Sequence, residues 1–240
     1  MIKRFFRNLI LREKATSSKF VAYLRKKGVQ VGEGVRFFSP SHTLVDVSCP
    51  WLLSIGNQVK ITHGVIILTH DYSWSVLKEH PKQKGIILGA QAPVCIGNNV
   101  FIGMNAIITR GVHIGDHVVI GAGSVVTHDC ESNSVYAGNP ARRIMSIEEF
   151  LEKRQKKQFE EARAMALLYK ARFGKYPPIE AFNEYFMLFS TAEEADQNPA
   201  FHAQLKTGDS YAESLDYMKK NPPMFDGFDA FLAECDKYQK

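Results

Sequence analysis

Apolar residues recur at every sixth position through the middle of the chain. One run holds Val31, Phe37, Thr43, Cys49, Ile55, Ile61 and Ile67; a second holds Ile96, Ile102, Ile108, Ile114, Ile120 and Val126. A glycine often follows the repeat residue, as at Gly32, Gly56, Gly97, Gly103, Gly115 and Gly121. Four positions after each repeat residue comes another apolar or small one, such as Val59, Val65, Val100, Ala106, Val112, Val118 and Ser124. This period is not helical, because six steps along an α-helix turn through about 600° and scatter the isoleucines around it. On short strands joined by turns the same positions all face one core. The glycines are expected to supply turn backbone that a β-branched residue adopts only at a cost. The pattern therefore predicts a solenoid of stacked parallel strands, each coil unstable alone and stable when stacked.

The two runs are out of phase, since Ile67 and Ile96 are 29 residues apart, which is no multiple of six. An insertion of about residues 69–93 accounts for the break. It carries His70, Asp71, Tyr72, Trp74 and His80. Loops on a rigid scaffold carry function more often than the scaffold does, which places the expected active site here.

Charge sharpens the division of the chain. The 240 residues carry a formal +5, spread as +8 over residues 1–28, +1 over 29–145 and −4 over 146–240. A basic stripe through the ordered middle is missing, which argues against nucleic-acid binding. The four cysteines are far apart and form no CxxC pair, so neither a zinc site nor a disulfide framework is expected and a cytoplasmic location is the simplest reading. No apolar stretch is long enough to span a membrane.

Three regions follow. Residues 1–28 form a basic N-terminal helical segment, residues 29–145 the β-solenoid, and residues 146–240 a helical extension. In the first, Ile2, Phe5, Phe6, Leu9 and Ile10 fall at helical spacing between Arg and Lys. Such an arm either caps the first coil or lies on an anionic membrane, a peripheral contact through residues 1–14. In the extension, Ser146-x-x-Glu149, Thr191-x-x-Glu194 and Ser210-x-x-Glu213 read as capping boxes. Ile147, Phe150, Leu151, Met165, Leu168 and Tyr169 mark the expected apolar face of a long first helix, and Phe182, Phe186, Phe189, Phe225, Phe228 and Phe231 suggest a packed helical unit.

Four segments resemble the hexapeptide-repeat acyltransferases, in particular the maltose/galactoside O-acetyltransferase-like group of polysaccharide gene clusters. They are IGNNVFIG at Ile96–Gly103, IGDHVVIGAGSVV at Ile114–Val126, AGNPARRI at Ala137–Ile144 and ILTHDYSW at Ile67–Trp74. The resemblance covers residues 29–145. It implies a mainly β fold, a left-handed parallel β-helix with an N-terminal helix and the helical extension. It also implies a homotrimer, acetyl-CoA as co-substrate without a metal, and a sugar or glycan-precursor acceptor in capsule, exopolysaccharide or O-antigen assembly.

By the same resemblance His70 matches the catalytic histidine. An acetyl thioester is already activated, so the task left is to take the proton from an attacking hydroxyl, and an imidazole suits that role. The last coils are where CoA is expected. Gly103, Gly121 and Ala122 are small beside the pantetheine path. Thr127 and His128 stand where the family carries Thr-Lys, and Arg142 and Arg143 suit the phosphates. Asp46, Asp71, Tyr72 and Trp74 are the acceptor candidates. Two departures, Phe101 for the family's tryptophan and Met104 for a smaller residue, bear on acceptor identity. Other readings stay open: N-acetylation of an amino-sugar nucleotide, acetylation of a small acceptor such as serine, a non-catalytic β-helix, or a γ-carbonic-anhydrase-like metal site using His63, His113 and His117.

Overall fold

A computed structural model describes residues 10–208 and 210–237. It divides between Phe150 and Leu151 into two compact units. The first holds fourteen short strands in three sheets among the described residues. In the first sheet β1 (Gln30–Val31), β4 (Leu53–Ile55), β7 (Val94–Ile96) and β10 (His113–Ile114) lie side by side. The second sheet stacks β2 (Arg36–Phe37), β5 (Lys60–Ile61), β8 (Phe101–Ile102), β11 (Val118–Ile120) and β13 (Ser134–Ala137), and β14 (Arg142–Ser146) folds back antiparallel on its edge. The third holds β3 (Leu44–Val45), β6 (Ile66–Ile67), β9 (Ile107–Ile108) and β12 (Val125–Val126). As far as β12 each sheet takes every third strand, so the chain winds as a three-sided parallel β-helix.

Register shows why the six-residue pattern works. Val31, Ile55, Ile96 and Ile114 stack in one column, Phe37, Ile61, Ile102 and Ile120 in the second, and Val45, Ile67, Ile108 and Val126 in the third. Most of these side chains are fully buried in one continuous core. At about 1.5–3 kcal/mol for each fully buried side chain of this size, the columns are the main source of the unit's stability.

The first coil departs from the expected phase. The residue that joins the third column is Val45, not the buried Thr43, and Cys49 lies in no strand. Two short 3₁₀ turns, Pro40–His42 and Pro50–Leu52, lengthen the coil by one full repeat. The six-residue count is thereby preserved through Thr43 and Cys49 although neither is a repeat residue.

The repeat glycines also have a different cause from the expected one. Gly56, Gly97, Gly103 and Gly121 do not adopt positive φ. They are small because the coils stack on them: a Cβ on Gly97 would fall 2.8 Å from the Gly115 backbone, and one on Gly103 would fall 2.5 Å from Ala122 N. The left-handed backbone sits two positions later, at Gly34, Gln58, Asn99, His117 and Gly123. At one corner of the coil the polar residues Asn57, Asn98, Asp116 and Ser132 do separate work. Asn57 Oδ1 accepts from Glu33 N, Asn98 Oδ1 from Asn57 N, Asp116 Oδ1 from Asn98 N, and Ser132 Oγ from Asp116 N. This ladder satisfies backbone donors that the corners leave unpaired.

Helix α1 (Ser17–Lys27) begins at Thr16, whose hydroxyl accepts from Lys19 N, and ends at Gly28 with φ 104°. It buries Phe20 and Leu24 in the β-helix core, Phe20 meeting Phe37 edge-on. Ile2, Phe5, Phe6 and Leu9 lie outside the described residues; Ile10 is exposed.

The second unit is helical: most of α2 (Ile147–Phe173), then α3 (Ala192–Gln197), α4 (Pro199–Leu205), α5 (Tyr211–Lys220) and α6 (Gly227–Asp236). Helical residues outnumber strand residues over the described chain, so mainly β describes the first unit and not the whole. Capping boxes form at Ser146–Glu149 and Thr191–Glu194, while the Ser210 side chain makes no capping bond. Leu151 and Leu168 are exposed; α2 instead buries Ala162 and Ala166. Phe182, Phe189, Phe228 and Phe231 pack ring against ring in this unit's core. Among the described residues no helix is long and apolar enough to cross a membrane.

Candidate active site

The insertion leaves the β-helix after β6 and closes on itself at its neck. Ala92 N donates to Thr69 O at 3.0 Å and Asp71 N to Ala90 O at 2.8 Å, with His70 paired opposite Gln91. His70 is thus held by backbone bonds on both sides while the loop beyond remains exposed.

Asp46 follows β3, one coil earlier in the stack. Val45 pairs with Ile67, and Asp46 N donates to Ile67 O, which brings Asp46 beside the neck. Its carboxylate is 7% exposed and every oxygen is engaged. Oδ1 accepts from Ser48 N and Ser48 Oγ; Oδ2 accepts from Thr69 N and Thr69 Oγ1 and lies 2.6 Å from His70 Nδ1. Burial alone would push the carboxyl up. The bonds from Thr69, Ser48 and His70 outweigh it and hold Asp46 well below the usual carboxylate range. Asp46 was expected to meet the acceptor; its oxygens are turned onto His70 and the neck instead. An ionised carboxylate on Nδ1 fixes the imidazole's orientation and places the proton on Nδ1, which leaves Nε2 as the basic nitrogen.

A cavity of about 600 Å³ adjoins this pair, lined by Leu68, His70, Asp71, Tyr72, Thr109, Arg110 and Thr127. It gathers His70, two acceptor candidates and one CoA candidate. Asp71 turns its carboxylate onto Ser73, accepting from Ser73 N at 2.7 Å and Ser73 Oγ at 3.0 Å. These bonds, aided by the charge of Arg110, hold its carboxyl below the usual range. Tyr72 is 62% exposed and meets Trp74 edge-on, ring centres 5.0 Å apart.

The remaining CoA candidates do not line this cavity. Gly103 and Gly121 answer to stacking, since a Cβ on Gly121 would lie 2.8 Å from Ala137 Cβ, and Ala122 is exposed at the corner beside them. His128 Nδ1 lies 2.8 Å from Thr127 Oγ1. Arg142 and Arg143 are exposed on β14, where Arg142 donates to Ala141 O and Arg143 Nε to Ser134 Oγ. His63 Nδ1 meets Ser39 Oγ and its ring lies tilted against that of His42, and His117 pairs with Asn99. No three His, Cys, Asp or Glu side chains among the described residues are grouped to hold a metal ion.

Two participants were not legible as such. Thr69 helps hold Asp46, and Arg110 stands in the cavity wall. Arg110 did leave a signal, being the one Lys or Arg between Lys84 and Arg142.

The coiled scaffold of six-residue sides defines a hexapeptide-repeat protein, with an oriented histidine beside an open cavity. The family model described as the hexapeptide repeat of succinyl-transferase matches residues 93–128. The chain is 43% identical to Protein CapG of Staphylococcus aureus over 128 residues, which is 53% of this chain and 71% of CapG. It is 56% identical to the galactoside O-acetyltransferase of Escherichia coli over 55 residues, 23% of this chain and 27% of that protein. The crystal structure of a maltose O-acetyltransferase from Clostridium difficile covers 60% of this chain and 81% of its own at 30% identity, with a TM-score of 0.40. The chain belongs to the hexapeptide-repeat acyltransferases, enzymes that use a CoA thioester as donor.

Proposed function

We propose that the protein transfers an acetyl group from acetyl-CoA to a sugar hydroxyl, with His70 as general base. The observation that carries this reading is the buried Asp46 carboxylate on His70 Nδ1 at 2.6 Å, beside an open cavity. His70 Nε2 takes the proton of the acceptor hydroxyl as its oxygen attacks the thioester carbonyl. The tetrahedral intermediate then collapses, the C–S bond breaks and CoA leaves as a thiol after protonation. Asp46 stabilises the imidazolium formed on the way, and one cavity holding both reactants removes much of the entropic barrier.

Support for a sugar acceptor comes from the relative named galactoside O-acetyltransferase and from the exposed Tyr72 ring, a flat apolar surface for a sugar face. The likeness to CapG is compatible with a place in capsule or related polysaccharide assembly at the cytoplasmic side of the cell. The reading includes the left-handed winding and the homotrimer of the family, with exposed Val76, Leu77 and Ile87 on the insertion as apolar surface for a neighbouring copy. Thr127 contributes to donor binding at the cavity, with His128, Arg142 and Arg143 outside it.

The test is acetyl transfer from acetyl-CoA to a panel of sugars and amino sugars, with product analysis to distinguish ester from amide. Wild-type protein should form an acetyl ester and His70→Ala should not. Transfer by His70→Ala at the wild-type rate would refute the assignment.

A further inference from the structure

Arg110 stands out in the cavity wall for what it leaves unused. Its side chain makes no hydrogen bond or ion pair with a described residue, although it lines the same cavity as His70. Three neighbouring polar groups of the lining are occupied. The Thr109 hydroxyl donates to Val126 O at 3.0 Å, the Thr127 hydroxyl meets His128, and the Asp71 carboxylate is bonded twice by Ser73. The single permanent cation of the lining thus keeps its five N–H donors available.

The register places this cation. Ile67 pairs with Ile108, and Ile108 with Val126, so Leu68, Thr109 and Thr127 form one column along the cavity. Arg110 is the residue after Thr109 and lines the same cavity as His70. A guanidinium here shares its space with the base. CoA phosphates lie at the far end of the pantetheine arm from the thioester, and the thioester must sit at His70 to react. An arginine next to the base is therefore too close to the reacting carbon to hold those phosphates. What remains within its reach is the acceptor.

Resting on the transfer reading above, we infer that Arg110 selects an acceptor sugar carrying an anionic group, a carboxylate or a phosphate, near the hydroxyl that is acetylated. The planar fork of the guanidinium matches either anion with two parallel bonds. Tyr72 offers the sugar ring an apolar face on the same cavity.

The experiment is steady-state kinetics of the full chain, wild type, Arg110→Gln and Arg110→Lys, with three acceptors: methyl β-D-glucuronide, glucose 6-phosphate and methyl β-D-glucoside. The wild type should favour one of the two acidic sugars over the glucoside by roughly tenfold or more in kcat/KM, and which acid is favoured separates carboxylate from phosphate. Arg110→Gln should erase that preference by raising the KM for the acid far more than that for the glucoside, while the KM for acetyl-CoA stays as it was. Arg110→Lys should fall between. Equal use of acidic and neutral sugars by the wild type overturns the inference and leaves the transfer reading standing. So does a fall in kcat for every acceptor, or a raised KM for acetyl-CoA, in Arg110→Gln. Transfer to no sugar at all refutes both.

Discussion

His70 Nδ1 and Asp46 Oδ2 lie 2.6 Å apart although 24 residues separate them in the chain. The pair is brought together by one register match, Val45 against Ile67, and by the neck of the insertion. Asp46→Asn keeps the shape but replaces an acceptor oxygen and removes the charge that favours the imidazolium. In the acetyl-transfer assay kcat should fall by about 10²-fold, with the KM for acetyl-CoA little changed. A variant with wild-type kcat would show that Asp46 does not position the base.

Asp46 also ties stability to pH. Its folded carboxyl is held below its unfolded value by the bonds from Thr69, Ser48 and His70. The folded state therefore binds the proton less readily than the unfolded chain. The resulting stabilisation is complete above the ordinary carboxylate range and is lost as pH falls through the depressed value. Thermal unfolding from pH 6 down to pH 2 should show a steeper loss of Tm in the wild type than in Asp46→Asn. Parallel curves would count against the linkage.

The stacking of glycine on glycine predicts an intolerance that turn geometry does not. Gly97 has an ordinary φ, yet a Cβ there would fall 2.5 Å from Asp116 Oδ1 and 2.8 Å from the Gly115 backbone. Gly97→Ala should destabilise the β-helix by about 1–3 kcal/mol, read from urea denaturation, because backbone must move to admit the methyl group. Gly123→Ala meets no atom within 4 Å, but it sits at φ 68° and should cost about 1 kcal/mol through the backbone alone.

In the helical unit, Ser190 is 4% exposed and its hydroxyl has no hydrogen-bond partner among the described residues. An unsatisfied buried hydroxyl costs about 1–3 kcal/mol, so Ser190→Ala should leave stability unchanged or raise it. A clear loss in the same denaturation assay would reveal a bond to the hydroxyl.

Ile108 stands between Ile67 and Val126 in the third column and is fully buried. Ile108→Ala should cost about 2–5 kcal/mol, since neighbours fixed by strand pairing close little of the space left behind. A cost under 1 kcal/mol would mean that the columns relax freely.

The solenoid, the insertion and the position of His70 were legible in the sequence because a stacked fold writes its core as a local period, read without knowing what touches what. From Ile96 onward the period and the columns coincide residue for residue. In the first coil the period persisted through Thr43 and Cys49 by arithmetic alone, since two extra turns together add one repeat. Only the folded chain decided that Val45 enters the core, that Asp46 serves His70, and that Arg110 joins them at the cavity. Those relations run between coils, across loops of irregular length, where spacing along the chain no longer measures distance in space.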